Sequence, residues 1–267
     1  MAASQLLQIL ETKATEVERL RPHEDDLRKL ALVRNDFRSF KLALDREGER
    51  LGLISEIKKA SPSAGVIDPD FDPLKIARDY VWAGTDAISV LTDETYFQGR
   101  LQYLHDIRQE VPVPLLRKDF IIDPLQVYES VVAGADAILL IVAGLEQKRL
   151  TELHALATSH QLDVLVEVHT LEELDRALDA GAEIVGINNR NLATFEVDLE
   201  TSLEISEQVP EGMMLVSESG IQTAEETRLL ASAGIDAILV GETLMRAGDR
   251  RAKAMELVDV VMDSVSE

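Results

Sequence analysis

The chain alternates short, nearly continuous apolar runs with longer stretches in which apolar and charged residues mix. Four of the runs, AISVL at 87–91, AILLIV at 137–142, IVGI at 184–187 and AILVG at 237–241, follow one pattern. It reads Ala83-Gly84-Thr85-Asp86, Ala133-Gly134-Ala135-Asp136, Ala180-Gly181-Ala182-Glu183 and Ala233-Gly234-Ile235-Asp236, recurring about every fifty residues. Each copy follows a helix-like stretch, such as Leu74 to Trp82 or Leu171 to Leu178. A glycine there predicts a helix C-cap, because it takes the left-handed conformation at no steric cost. An apolar run after it predicts a parallel strand covered on both faces.

Fifty residues are long for one strand–helix unit, and each interval contains a further strand-like run. Leu51 to Ile57 precedes the first glycine, and Val113 to Arg117, Val164 to Val168 and Met213 to Val216 fill the later gaps. Eight strands alternating with helices predict an α/β chain folded as a (β/α)8 TIM barrel, a fold that commonly takes roughly 250 residues. A doubly wound open sheet is the rival. It gives no reason for the even repeat, and no GxGxxG run is present. Residues 1–50 lie outside the eight units and predict an N-terminal helical extension packed on the barrel of 51–267. Leu6, Leu7, Leu10 and Val17 suggest one apolar face of a first helix. Arg21-Pro22 interrupts it, and a second helical stretch is expected from about Asp25 to Leu44.

The 267 residues are 46% hydrophobic, enough for a sizeable core, and carry a formal net charge of −22. So acidic a surface repels phosphate backbones and anionic lipid, which argues against nucleic-acid and membrane partners. An anionic substrate would therefore need a local cluster of Lys, Arg and backbone N–H groups. Cysteine is absent, which excludes disulfides and thiolate chemistry, and the five His show no metal-ligand spacing. No apolar run approaches the ~20 residues of a membrane span, and the first residues lack a signal-peptide pattern, so a cytoplasmic location is expected.

In this fold chemistry sits at the C-terminal strand ends. Glu56 and Lys58 are two apart and share a face, with a rim ion pair as the alternative. Lys118 shares parity with Leu116, and Glu167 stands inside an apolar run, where a carboxylate is expensive unless paired or used. Asn188, Asn189 and Arg190 follow the sixth strand, as turn caps and a rim ion pair or as substrate contacts. Glu218, Ser219 and Gly220 follow the seventh strand, and Gly241 and Glu242 the eighth. Loops at these two positions often hold phosphate, although an ordinary tight turn needs glycine too.

The runs SEIKKASPS, LLRKDFIID, LVEVH, GINNRNL, VSESGI and VGETLM, in this order over roughly residues 50 to 250, closely resemble indole-3-glycerol-phosphate synthases. The helical N-terminal extension also fits that family. The resemblance implies a carboxy-lyase of tryptophan biosynthesis acting on a small phosphorylated substrate, 1-(2-carboxyphenylamino)-1-deoxyribulose 5-phosphate. Ring closure, decarboxylation and dehydration yield indole-3-glycerol phosphate without metal or organic cofactor. By motif, Lys118 resembles the general acid of ring closure. Lys58 resembles its partner, holding the substrate carboxylate and donating a proton later. Glu167 resembles the base of the dehydration, and Glu56 a group assisting proton transfer at the leaving hydroxyl. Asn188 and Ser219 resemble orienting partners, and Arg190 and Glu218 substrate contacts. Ser61, Gly220, Gly241 and the backbone of Glu242 resemble a phosphate cradle, with the Glu242 carboxylate pointing away.

Two other readings remain. A phosphoribosylanthranilate isomerase would need a Cys/Asp pair, and this chain has no Cys. A non-catalytic scaffold should have lost the polar strand ends. A monomer is expected, with a homodimer as the alternative.

Overall fold

The computed structural model describes residues 2–47, 49–191 and 194–258. Leu192 of the GINNRNL run and the last nine residues of the expected barrel segment lie outside the described residues. Eight parallel strands close into a barrel. They are β1 (Gly52–Ile57), β2 (Ala87–Leu91), β3 (Leu115–Lys118), β4 (Ala137–Ile141), β5 (Asp163–Val168), β6 (Ile184–Asn188), β7 (Met214–Glu218) and β8 (Ala237–Val240). β1 pairs with β2 on one side and with β8 on the other, which closes the ring.

All eight sequence-predicted strands are present, with shifts at the ends. β3 starts at Leu115 rather than Val113, because Pro114 has no N–H to give a ladder. β7 runs on to Glu218, carrying Ser217 and Glu218 inside the sheet. Alternate residues point inward, and Ile54, Leu116, Leu139, Leu165, Val216 and Leu239 fill the barrel. A second core lies between strands and outer helices.

The fifty-residue repeat has a structural cause. Its four glycines, Gly84, Gly134, Gly181 and Gly234, take φ values of 84°, 95°, 88° and 80° after their helices. The aspartates two residues later stitch each strand to its predecessor. Asp86 accepts the N–H of Leu53, Asp136 that of Leu115 and Asp236 that of Leu215, at 2.8, 3.0 and 2.7 Å. One repeat is therefore a pair of strand–helix units closed by one carboxylate at the bottom of the barrel. Glu183 breaks the rule. Its longer, exposed side chain reaches Lys41 at 2.7 Å instead.

The N-terminal segment differs most from the sequence reading. Helix α1 (Ala2–Leu20) leads through a 3-10 turn at Arg21–His23 to α2 (Glu24–Val33). The expected helix from Asp25 to Leu44 is broken: residues 34–39 are not helical, and α3 spans only Phe40–Leu44. The break serves the barrel floor. Arg34 pairs with Asp136 at 3.0 Å, and the Arg38 guanidinium donates to the carbonyls of Val111 and Val113 at 2.7 and 2.9 Å. Asp163, at the start of β5, accepts the first N–H groups of α3 from Phe40 and Lys41. Helix α3 thereby drives Phe40 and Leu44, both fully buried, into the bottom of the barrel interior.

The buried face of α1 is also not the one the leucines suggested. Leu7 is exposed, Leu6 and Leu10 are half-buried, and Ile9, Lys13 and Val17 are buried. Lys13 is the reason. Its ammonium lies 2.8 Å from each of Asp93, Asp119 and Glu16, tying α1 to the segments after β2 and β3. Burial opposes that charge, but Asp119 and Asp93 hold the Lys13 pKa above its ordinary value. They do so because an ammonium among carboxylates is stabilised in its charged form.

Asp136 is the most heavily used of the floor carboxylates, with Arg34, Arg108 and the backbone N–H groups of Arg38 and Leu115 as donors. Asp136→Ala should lower unfolding free energy by about 3–5 kcal/mol, since it strands buried guanidinium groups. Equilibrium denaturation in urea reads this directly, and a change below about 1 kcal/mol would refute it.

Candidate active site

A cavity of about 220 Å³ opens at the C-terminal strand ends. Its lining includes every residue to which the resemblance gave a role: Glu56, Lys58, Lys118, Glu167, Asn188 and Ser219, Arg190 and Glu218, and Ser61, Gly220, Gly241 and Glu242. Strand geometry brings them together. Inward positions on β1, β3, β5, β6 and β7 all end in polar groups just above the apolar fill of the barrel.

Lys118 is at the centre. Its ammonium donates to Glu218 Oε2 at 2.5 Å and to Glu167 Oε2 at 3.1 Å. The three side chains are 12%, 2% and 4% exposed, so water screens this cluster little. Burial disfavours the Lys118 charge, yet Glu218, Glu167 and Glu56 together raise its pKa, so the group stays cationic. Glu167 is likewise opposed by burial, but Lys118, His169 and Asn188 hold it below the ordinary carboxylate range. Glu218 goes the other way. Burial pushes it up to about 7, Lys118 offsets only part of this, and Glu167 and Glu56 add to the rise. One ammonium thus keeps one of its two carboxylates ionised and leaves the other near neutrality.

Lys58 pairs with Glu56 at 2.5 Å at the C-terminal end of β1. Both need the glycine that follows β8. A Cβ on Gly241 would strike the Glu56 carboxylate and lie 3.1 Å from Lys58 Nζ. Gly186 on β6 plays the same part for Glu218, whose Oε1 occupies the space a Cβ would need. The sequence reading took Gly241 only as a turn letting backbone approach an anion; its missing side chain also seats the carboxylate of the first strand.

The loop after β6 divides its asparagines. Asn188 lines the cavity near Glu167, favours its charged form, and accepts the Arg190 N–H at 3.0 Å. Asn189 points away, donating to Ser217 Oγ and to the Ser219 carbonyl and accepting from Ser202. It thus supports Ser219, which has a φ of 69°. A side chain rarely takes this conformation unless its surroundings enforce it. Arg190 reaches the cavity while donating to the Phe195 carbonyl at 3.2 Å.

On the opposite side, the Thr243 hydroxyl donates to the Ile221 carbonyl at 2.7 Å and ties the loops after β7 and β8 together. Glu242 begins the short helix Glu242–Arg246, and its carboxylate pairs with Arg246 at 2.8 Å on an exposed turn. Ser61 lies in a two-stranded ribbon, Ala60–Ser61 with Gly65–Val66, beyond β1.

Sequence reasoning missed the apolar wall and two polar supports. Leu6 and Ile9 of α1 join Phe97, Phe120, Leu139 and Phe195 around the cavity. The Phe97 and Phe120 rings are 6.1 Å apart. These residues come from distant segments, and only the anchoring of α1 by Lys13 reveals that α1 lines the mouth. His169 shares parity with Glu167 in the LVEVH run, a signal that was legible but unused; its Nε2 lies 3.4 Å from Glu167 Oε1.

The fold and cavity are those of a (β/α)8-barrel enzyme whose acid and base groups converge at the strand ends. The family model described as Indole-3-glycerol phosphate synthase matches residues 6–257, and the chain belongs to that family. A relative named indole-3-glycerol phosphate synthase from Geobacillus sp. (strain WCH70) is 50% identical over 256 residues, covering 94% of this chain and 96% of its own. One of the same name from Chlorobium phaeovibrioides is 49% identical, covering 91% and 95%. Among solved structures, thiamine phosphate pyrophosphorylase from Pyrococcus furiosus aligns with a TM-score of 0.59 at 20% identity, covering 80% of this chain and 97% of that one. That likeness is one of fold alone.

Gly186→Ala should leave the fold intact, because the clash is with the mobile end of Glu218, yet should displace that carboxylate. Turnover should fall at least about tenfold with a melting temperature near wild type; unchanged kcat would show that Glu218 tolerates the move. Glu218 also makes stability pH-dependent. Its folded pKa of about 7 lies above the ordinary 4.5, so the native state binds more protons than the unfolded chain between those values. Its contribution is complete below about 4.5 and is lost as pH rises through 7. Glu218→Gln should remove that part of the fall, which chemical denaturation at pH 5 and pH 8 would read; identical pH slopes would refute it.

Proposed function

We propose that this chain converts 1-(2-carboxyphenylamino)-1-deoxyribulose 5-phosphate to indole-3-glycerol phosphate, with Lys118 as general acid of ring closure. The observation that carries this reading is the Lys118 ammonium, held 3.1 and 2.5 Å from two buried carboxylates inside a cavity with an apolar wall. When the ring carbon attacks the ketone, negative charge grows on the ketone oxygen. A cation that is already desolvated and fixed stabilises that charge with little reorganisation and delivers a proton to it. Its raised pKa ensures that it is charged when substrate arrives.

The remaining groups divide the later steps. Lys58 and Arg190 hold the substrate carboxylate until CO2 leaves. Glu167, ionised beside Lys118, takes the ring N–H proton in the dehydration. Lys58, with Glu56 at 2.5 Å, protonates the departing hydroxyl. Asn188 and Ser219 orient the substrate, and Glu218 contacts it beside Lys118. Leu6, Ile9, Phe97 and Phe120 offer the aromatic ring an apolar seat. Ser61 and the backbone N–H groups around Gly220, Gly241 and Glu242 take the phosphate.

Charge balance supports an anionic substrate in so acidic a protein. Lys58, Lys118 and Arg190 bring three cations to the cavity, while the lining carboxylates Asp119 and Glu242 are paired with Lys13 and Arg246, and burial shifts Glu218 toward its neutral form. This reading takes the chain as a monomer, with a homodimer as the alternative. Among the described residues no helix is long and apolar enough to cross a membrane, which accords with work in the cytoplasm.

Lys118→Ala should reduce kcat by about 10²–10⁴-fold, the usual contribution of one placed acid, while the chain stays folded. Indole fluorescence follows product formation, and circular dichroism checks the fold. Near-normal kcat would remove Lys118 from its role.

A further inference from the structure

The two oxygens of Glu167 have different neighbours. Oε2 accepts from Lys118, whereas Oε1 faces the Nε2 of His169 at 3.4 Å. On the far side of the imidazole, Nδ1 lies 3.1 Å from Glu173 Oε2, and the same oxygen accepts the His169 backbone N–H at 2.7 Å. Glu173 is itself fixed, for its N–H donates to the Thr170 hydroxyl that caps helix Leu171–Asp179. Neither His169 nor Glu173 lines the cavity; both stand behind Glu167.

This arrangement constrains where protons sit. The Glu173 oxygen that faces Nδ1 already accepts the His169 backbone N–H, so Nδ1 carries the hydrogen and donates to the same acceptor. A neutral ring would then turn the lone pair of Nε2 toward a carboxylate oxygen. Both side chains are at most 10% exposed, and Nε2 has no hydrogen-bond partner. Two buried acceptors facing each other are unfavourable unless a proton lies between them.

We infer that His169, oriented by Glu173, is a positioning residue that shares a proton with Glu167 and sets the pH at which Glu167 is free to act as base. The inference rests on the reading of Glu167 as the base of the dehydration. The Nε2–H of the resting imidazolium faces Glu167 Oε1, and Glu173 lies against the opposite ring nitrogen, so Glu167 waits as a carboxylate for the substrate proton. The groups that face the pair are Lys118 from β3 and Glu218 from β7, besides Glu173. Burial alone would lower the His169 pKa, but Glu173, Glu167 and Glu218 together raise it. The orienting carboxylate, the imidazole and the working group form the same kind of chain that fixes catalytic and metal-bound histidines elsewhere.

The test uses the full-length chain and the pH dependence of kcat. In wild type the imidazolium holds Glu167 in its ionised form. His169→Gln removes that cation, and the acidic limb of the profile should move to higher pH by about one unit. Glu173→Gln, remote from substrate, should move it in the same direction by a smaller amount, with the melting temperature near wild type. Nitrogen-15 NMR of the imidazole should show both ring nitrogens protonated at pH 7 in wild type and a lower titration midpoint in Glu173→Gln. A uniform fall in kcat with an unmoved limb in both variants would reduce His169 to a structural part, and a neutral imidazole at pH 7 would overturn the inference. Glu167→Gln separates the two readings. If it stays active, the assignment of the base fails; if it is inactive while the limb stays put in the other variants, only the role of His169 fails.

Discussion

The burial of one ammonium between two carboxylates governs the catalytic end of this protein. Lys118, Glu167 and Glu218 come from three strands and meet almost out of reach of water. Such a cluster is tolerable only if its charges are paired, and pairing one cation with two anions cannot satisfy both equally. Glu218 therefore rises to about 7 while Glu167 stays ionised. Two carboxyl groups of the same chemistry differ in protonation because Glu167 has His169 and Asn188 beside it as well as Lys118, whereas burial and the neighbouring glutamates outweigh Lys118 at Glu218. Gly186 and Gly241 exist to leave room for this charged layer, since a methyl group on either would displace a carboxylate.

The two ends of the barrel use the same chemical groups for different purposes. At the floor, Asp86, Asp136 and Asp236 accept backbone N–H groups of the preceding strands, and arginines from the N-terminal segment close over Asp136. These charges are consumed by the fold. At the mouth, carboxylates and ammonium groups are paired with each other but open onto a cavity, so a substrate can exchange for part of that pairing. Stability at one end and chemistry at the other is the usual division in this architecture. The N-terminal helices belong to both ends, with α3 plugging the floor and α1 walling the mouth through Lys13.

Much of this was legible in the sequence. The repeated Ala-Gly-x-Asp pattern located four strands, and its glycines take the left-handed conformation expected of them; the work of its acidic residues, three on backbone N–H groups and Glu183 on Lys41, had no reading from the spacing. Parity along strands was enough to aim Glu56, Lys58, Lys118 and Glu167 at one opening, because side chains alternate strictly along a strand. Less was readable where contacts join segments far apart in the chain. The helix expected to run to Leu44 breaks at Arg34 because guanidinium groups there find carbonyls and carboxylates on the barrel floor, which no local propensity encodes.

By itself, then, the sequence determined the number and order of the strands, the end at which polar groups gather and the family to which their motifs belong. These depend on period and spacing, which are local properties of the chain. Only the tertiary structure decided which face of α1 is buried, that Lys13 anchors it, that Glu218 rather than Glu167 is the carboxylate near neutrality, and that His169 stands behind Glu167. These follow from distances and dielectric surroundings set by residues that can lie a hundred or more positions apart, and such quantities have no value until the barrel closes.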